Sequence, residues 1–266
     1  MKYANQQIPK PMKKLIYILS IFITTSSFAQ TSAFKKGEHL KYKLSYSNFF
    51  TAGYATMDVK KARKNGEHKV HIVGKGKTTG MINWFFKVRD IYETYIDTST
   101  MLPYKFKRKI DEGGYTKNKE ITFNHAQGKA TVTDKEKNKT STHHIENNVQ
   151  DLLSSLYYMR NQDISDFKKG DEITLPIFID EEIMNMKLRF LGREIIKTKF
   201  GKIKAAKFMP LVESDRVFKD KESVTVWVSD DENKIPLSIK ASLSVGSLRA
   251  DLYKYNGLAH KIEFVE

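Results

Sequence analysis

The chain has 266 residues, 40% of them hydrophobic and 29% charged, ordinary proportions for a globular protein and enough for one large or two small domains around a buried core. It contains no cysteine, which excludes disulfides, thiolate metal sites, a cysteine nucleophile and a lipid-anchoring cysteine. Its formal charge of +15 favours polyanionic surroundings.

The first segment reads as an address. Lys10, Lys13 and Lys14 precede the apolar run from Leu15 to Ile23, and Ser27-Phe28-Ala29 follows, the pattern of a secretory signal peptide over residues 1–29. The run is too short for a membrane span, which needs about 20 residues, and Met12 and Met1 both stand as candidate starts. The segment holds four of the 46 basic residues and none of the 31 acidic ones, leaving +11 from Gln30 onward. A basic, cysteine-free exported chain suits the periplasm or outer surface of a Gram-negative bacterium. Its polyanions there are anionic lipid headgroups, lipopolysaccharide or acidic glycans rather than nucleic acid. The plainer reading is that the lysines solvate the outer faces of strands.

From Leu40 the chain alternates apolar and polar residues, the period of half-buried strands. Leu40, Tyr42, Leu44 and Tyr46 share one face; Ala55, Met57 and Val59 repeat the pattern, as do Val70 and Ile72. Lys64-Asn65-Gly66, Glu112-Gly113-Gly114, Gln127-Gly128 and the stretch 134–139 carry hairpin-turn chemistry, so the strands pair antiparallel. Gly74-Lys75-Gly76 lacks a βαβ context and reads as a flexible connector. The run Gly80 to Phe86 places Trp84 and Phe85 beside glycines, either as a lid or membrane-touching loop or as the start of the next buried strand.

After Pro103, Tyr104, Phe106, Arg108 and Ile110 face one way and Lys105, Lys107 and Lys109 the other. An inward Arg108 must be paired or must contact ligand, because an isolated buried charge is too costly. Asp90 and Glu93, with Arg89, lie on the preceding strand. They give Arg108 an internal ion-pair network, or else Arg108 and Arg89 clamp an anionic headgroup in a bidentate manner. Adjacent His143 and His144 point to opposite faces of a strand and do not share a metal. Residues 148–160 are the exception to the strand pattern. Val149, Leu152, Leu153, Leu156 and Tyr157 fall at helical spacing, with Asn147 or Asn148 as the N-cap, so one helix is expected.

Phe34-Lys35-Lys36-Gly37 recurs as Phe167-Lys168-Lys169-Gly170, and the faces that follow agree in register. At the same offset of 133, Asp97 and Asp230 each stand six residues before Pro103 and Pro236. The expectation is a single domain over 30–266, made of two pseudo-repeated halves, 34–146 and 167–266, joined by the helix. Arg108 then corresponds to Ala241 in the second half. Two such half-sheets, each with an apolar face, pack on each other or curl into one curved sheet or barrel whose interior is filled or holds an apolar ligand. Asp180-Glu181-Glu182 reads as an exposed acidic turn rather than a cation site.

The opening Phe34 to Tyr42, the stretch Val88 to Asp97 leading to Leu102-Pro103, and Val149 to Arg160 together resemble the exported bacterial family known as domain of unknown function 3108. The resemblance implies a β-rich envelope protein and supplies no catalytic residue. The sequence holds no G-x-S-x-G, H-E-x-x-H or phosphate-loop motif. The expected fold is mainly β, with two related antiparallel curved sheets forming a barrel-like or sandwich-like domain. The expected function is non-catalytic binding or envelope assembly, with a lipid or amphipathic molecule held inside by Arg108, Arg89, Asp90, Glu93, Trp84 and Phe85. No cofactor or metal is expected. The alternatives are an adaptor docking on an envelope protein through a basic face or sheet edge, and a hydrolase using Asp90 and Glu93.

Overall fold

A computed structural model of the chain describes residues 32–47, 50–64, 67–212, 224–243 and 245–266. The signal peptide, both candidate starts and the Asn65-Gly66 turn lie outside the described residues.

Among the described residues, fifteen strands form a single antiparallel sheet. The first eight make a meander: β1 (His39–Tyr46), β2 (Phe50–Lys64), β3 (Glu67–Thr78), β4 (Arg89–Ile96), β5 (Pro103–Glu112), β6 (Tyr115–Asn124), β7 (Lys129–Asp134) and β8 (Lys139–His144). A second meander follows: β9 (Glu172–Ile179), β10 (Glu182–Thr198), β11 (Gly201–Val212), β12 (Val224–Ser229), β13 (Pro236–Ser242) and β14 (Ser247–Asn256). Strands β1 and β14 pair, so the halves form one continuous curved sheet rather than two stacked ones. The short β15 (Phe264–Val265) adds to β11. The edge strands β8 and β9 approach through side chains, with the rings of His143 and Phe178 5.8 Å apart.

The two Phe-Lys-Lys-Gly stretches make the same turn. Gly37 and Gly170 are left-handed, with φ of 92° and 102°, a conformation open to glycine at no steric cost. Gly37 N–H donates to Val59 O of β2, and Val59 N–H donates back to Glu38 O. Gly170 N–H donates to Phe190 O of β10, and Phe190 N–H donates back to Asp171 O. Phe34 and Phe167 both turn inward, Phe167 edge-on to Phe190 at 6.0 Å. At the other shared landmark, Pro103 and Pro236 each open a strand.

Three departures from the sequence pattern have local causes. The helix between the halves, α2, spans Leu152–Arg160 and begins later than expected, because Asp151 rather than Asn147 or Asn148 caps it in a reciprocal capping box with Ser154. Val149 and Gln150 are outside the helix, Gln150 bridging to Ile177 of β9. Tyr104 is the extra residue of a bulge in β5, so its ring lies 5.9 Å from that of Tyr95 and not beside Phe106. A second helix, α1 (Ile82–Phe85), occupies the Trp84 run. Trp84 and Phe85 are each 85% exposed and do not begin a buried strand.

Helix α2 lies over the inner face of the first half. Leu153 and Tyr157 join Ile72, Ile96, Phe106, Ile121 and Phe178 in the main core. The helix is locked by Arg160, whose Nη1 and Nη2 donate to the two Glu38 carboxylate oxygens at 2.6 and 2.8 Å. Its remaining bonds go to Ala33 O and Asn233 O, both at 2.9 Å. Asn233 in turn bonds His260 N and O. Both charges are almost completely buried, so removing one partner strands the other. We expect Glu38→Gln to lower the unfolding free energy by about 3–5 kcal/mol and a Glu38→Met/Arg160→Met double variant to recover part of that loss, as measured by denaturant unfolding.

Candidate functional site

Helix α2 is apolar on two sides. Its inner side, Leu153 and Tyr157, is buried in the core just described, and Leu153 lies against Gly74, where a Cβ would come within 3.6 Å of it. Its other side carries Leu156, 40% exposed, and Met159. This side faces the second half across a cavity of about 160 Å3. The opposite wall comes from inward positions of four neighbouring strands: Met186 and Leu188 of β10, Phe208 and Pro210 of β11, Val226 and Val228 of β12, and Pro236 of β13. Of the three polar side chains at the wall, Ser155 donates to Leu152 O, Arg160 is spent on Glu38, Ala33 and Asn233, and Lys234 stands at the end nearest Pro236. The cavity offers apolar contact and few partners for a polar group.

The residues singled out in the sequence do not gather here. Arg108 does face inward, opposite Tyr92 of β4 and Lys119 of β6. Its partner is Asp180, 2.9 Å away, rather than Asp90 or Glu93. Lys117 reaches the same carboxylate at 3.0 Å, and Lys119 reaches Glu181 at 3.0 Å. Asp180 and Glu181 form the β9–β10 turn, both left-handed at φ 49° and 78°, and this acidic tip bridges the second half to the basic row of the first. Burial works against the Asp180 charge, but Lys117 and Arg108 hold its carboxyl below the usual range. The sequence pointed to Asp90 and Glu93 because they are near Arg108 in the chain; the true partner is 72 residues away.

Asp90 and Glu93 are three residues apart on a strand and therefore occupy opposite faces. Glu93 bonds His71 Nε2 at 2.7 Å and accepts from Tyr95 Oη. Asp90 stands on the inner face, where burial, aided by the Glu112 carboxyl, pushes its pKa up to about 6. The two carboxylates do not share a face of the sheet. Arg89 points outward and donates to Thr78 O and Val88 O. On the outer face Lys105 pairs with Glu120 at 2.8 Å. His143 lies 3.8 Å from Glu181, whereas His144 sits by Gly128.

Residues 41–253 match a protein family described as Protein of unknown function (DUF3108). The chain belongs to this family. No curated protein matches this DUF3108 chain. Its fold is shared with a solved β-barrel-like protein of domain of unknown function DUF1849 from Brucella abortus, at 11% identity and a TM-score of 0.53, over 82% of this chain and 96% of that one. A protein provisionally described as a lipoprotein, from Parabacteroides distasonis ATCC 8503, aligns over 85% of this chain and 99% of its own at 11% identity and a TM-score of 0.36. A provisionally described exported protein with a YmcC-like fold, from Bacteroides fragilis NCTC 9343, aligns over 84% and 96% at 10% identity and a TM-score of 0.33. Among the described residues of the DUF3108 chain, no helix is long and apolar enough to cross a membrane.

The position of α2, and hence the cavity, depends on Asp151. Its carboxylate accepts from Leu153 N–H, Ser154 N–H and Thr94 Oγ1, yet complete burial raises its pKa to about 6. A raised folded-state pKa means that ionisation costs more in the folded chain than in the unfolded one. Stability from this group is therefore present at low pH and falls as pH rises from about 4 to about 6. Asp151→Asn, which can keep a capping acceptor, removes that titration. The stability difference between wild type and Asp151→Asn should shift toward the variant by about 2 kcal/mol between pH 4 and 7 in urea unfolding.

Proposed function

We propose that this chain is a non-catalytic exported binding protein that takes the apolar tail of a lipid or similar amphipathic molecule between helix α2 and strands β10–β13. The observation that carries the reading is the cavity beneath Leu156 and Met159: an apolar helix side left exposed toward a wall of Met, Leu, Phe, Val and Pro. Dry cavities of about 150 Å3 lined by such side chains accept small apolar ligands. Export is supported by the signal-peptide pattern at residues 10–29, and a non-catalytic role by the separation of Asp90 from Glu93. We read the halves 34–146 and 167–266 as copies of one ancestral meander, on the strength of their matching turns and strand order. In this reading the helix fills the interior of one copy and leaves room in the other.

The test is binding of an undecanoic acid carrying a fluorescent dansyl group. Wild type should bind it with enhanced emission, and Leu156→Asp, which places a charge at the cavity and is partly exposed so that the fold tolerates it, should bind at least tenfold more weakly. Native mass spectrometry of protein purified from its own envelope should show an added mass that organic extraction removes. Absence of binding in wild type, or equal binding by Leu156→Asp, would refute the reading.

A further inference from the structure

Several loops meet at one rim of the sheet. The β3–β4 connection faces the start of β2, since Thr79 N–H donates to Ala52 O and Gly53 pairs with Thr78. The β5–β6 turn lies alongside, with Phe86 against Gly113. The β13–β14 turn completes the row, Tyr46 Oη donating to Val245 O. This rim exposes Phe50, Met81, Trp84, Phe85, Tyr115 and Val245. Scattered exposed apolar residues need no explanation, but a contiguous set on adjoining loops marks an interaction surface.

What covers the rim is indicated by its charge. Directly behind it on the outer face stand Lys75 and Lys77 of β3, Lys87, Arg89 of β4 and Lys109 of β5, all exposed. Lys77 lies opposite Arg89, and both Lys75 and Lys109 lie opposite Ile91, so the four strand residues share one face. Among the described residues, the only ion pair these five cations make is that of Lys87 with Asp111 at 3.9 Å. Exposed tryptophan and phenylalanine at a tip, with cations set back from it, match a bilayer interface: aromatic rings sit at headgroup level and cations meet lipid phosphates. A second copy of the chain would bring the same cations against these, which disfavours self-association.

We propose that this rim docks on an anionic phospholipid bilayer, with the Trp84–Phe85 tip entering the headgroup region. The proposal does not rest on the interior ligand, and Leu156→Asp leaves the rim intact. Trp84 and Trp227 are the only tryptophans, so in a Trp227→Phe chain Trp84 alone reports this loop. On vesicles of mixed phosphatidylglycerol and phosphatidylcholine, its emission should move to shorter wavelength and become shielded from iodide; vesicles of phosphatidylcholine alone should have little effect. Co-sedimentation with the mixed vesicles should fall about tenfold or more for Trp84→Ser/Phe85→Ser and about tenfold for Lys77→Glu/Arg89→Glu. All four positions are exposed, and circular dichroism checks that the fold is kept. Every chain compared carries the same N-terminal segment, so its own affinity for lipid cancels. Unshifted Trp84 emission on the mixed vesicles, or undiminished sedimentation of Trp84→Ser/Phe85→Ser, would overturn the proposal. So would a concentration-dependent dimer that this variant abolishes without any vesicle response, which would assign the rim to a second copy.

Discussion

The buried pair of Arg160 with Glu38 is the constraint on which the arrangement depends. A guanidinium taken out of water is tolerated only when its donors are spent, and Arg160 spends them on three separate segments: the N-terminal entry at Ala33 and Glu38, the β12–β13 turn at Asn233, and through Asn233 the C-terminal stretch at His260. Apolar packing alone would let a nine-residue helix slide or roll on a smooth interior. A bidentate fork fixes direction as well as distance, and the rings of Phe34 and Tyr157 confine the guanidinium at 5.7 and 5.1 Å. With Arg160 fixed at one end and Asp151 bonded to Thr94 at the other, α2 has one rotational setting. That setting buries Leu153 and Tyr157 and leaves Leu156 and Met159 over the cavity.

The two halves share strand order and entry turn but solve the problem of an apolar concave face differently. In the first half the face is covered by α2 and by Phe178 and Ile183 at the end of the β9–β10 hairpin. The same hairpin inserts Asp180 and Glu181 among Arg108, Lys117 and Lys119, so every cation of the basic row is paired by the other half. Among the described residues, the second half receives no helix of its own. Its inner residues meet the uncovered side of α2, and the space between them stays open.

The strand-rich fold was legible because its signal is local: period-two alternation and glycine turns recur from Leu40 to Leu252. The equal offset of the two Phe-Lys-Lys-Gly stretches also had a local cause, since only glycine adopts the left-handed turn at 37 and 170 without cost. The inward direction of Arg108 could be read from its phase between Phe106 and Ile110. Its partner could not, because pairing across the barrel-like interior depends on how the halves curl together, which no spacing within β4 and β5 encodes. The cavity leaves only a faint trace in the sequence. Leu152 and Leu156 make a second apolar side on a helix whose Leu153 and Tyr157 already suffice for burial, while Met186, Leu188, Phe208, Val226 and Val228 hold inward positions that face that second side. The Trp84 run was recognised as unusual, but its exposure is decided by a one-turn helix at a sheet end, where no neighbouring strand remains to bury it.

The rim and the cavity are related through the sheet. Val226 pairs with Ile239 and Val228 with Pro236, while β13 runs on to Ser242 beside the β13–β14 turn. Val226 is therefore closer to the rim than Val228. In β11, Pro210 lies near the same end of its strand, opposite Leu188. The cavity thus extends along the strands from the locked end, at Ile164, Lys234 and Pro236, toward the end whose loops bear Trp84 and Phe50. If the rim rests on a bilayer, an apolar tail leaving the lipid meets the Met186–Pro210–Val226 side of the cavity first and is stopped at the Arg160–Glu38 end. At that end Arg160 is committed to Glu38, Ala33 and Asn233 and Lys234 is the other cation of the wall, while the surface between the two ends is apolar, so the cavity takes the tail and leaves a headgroup to its charged ends.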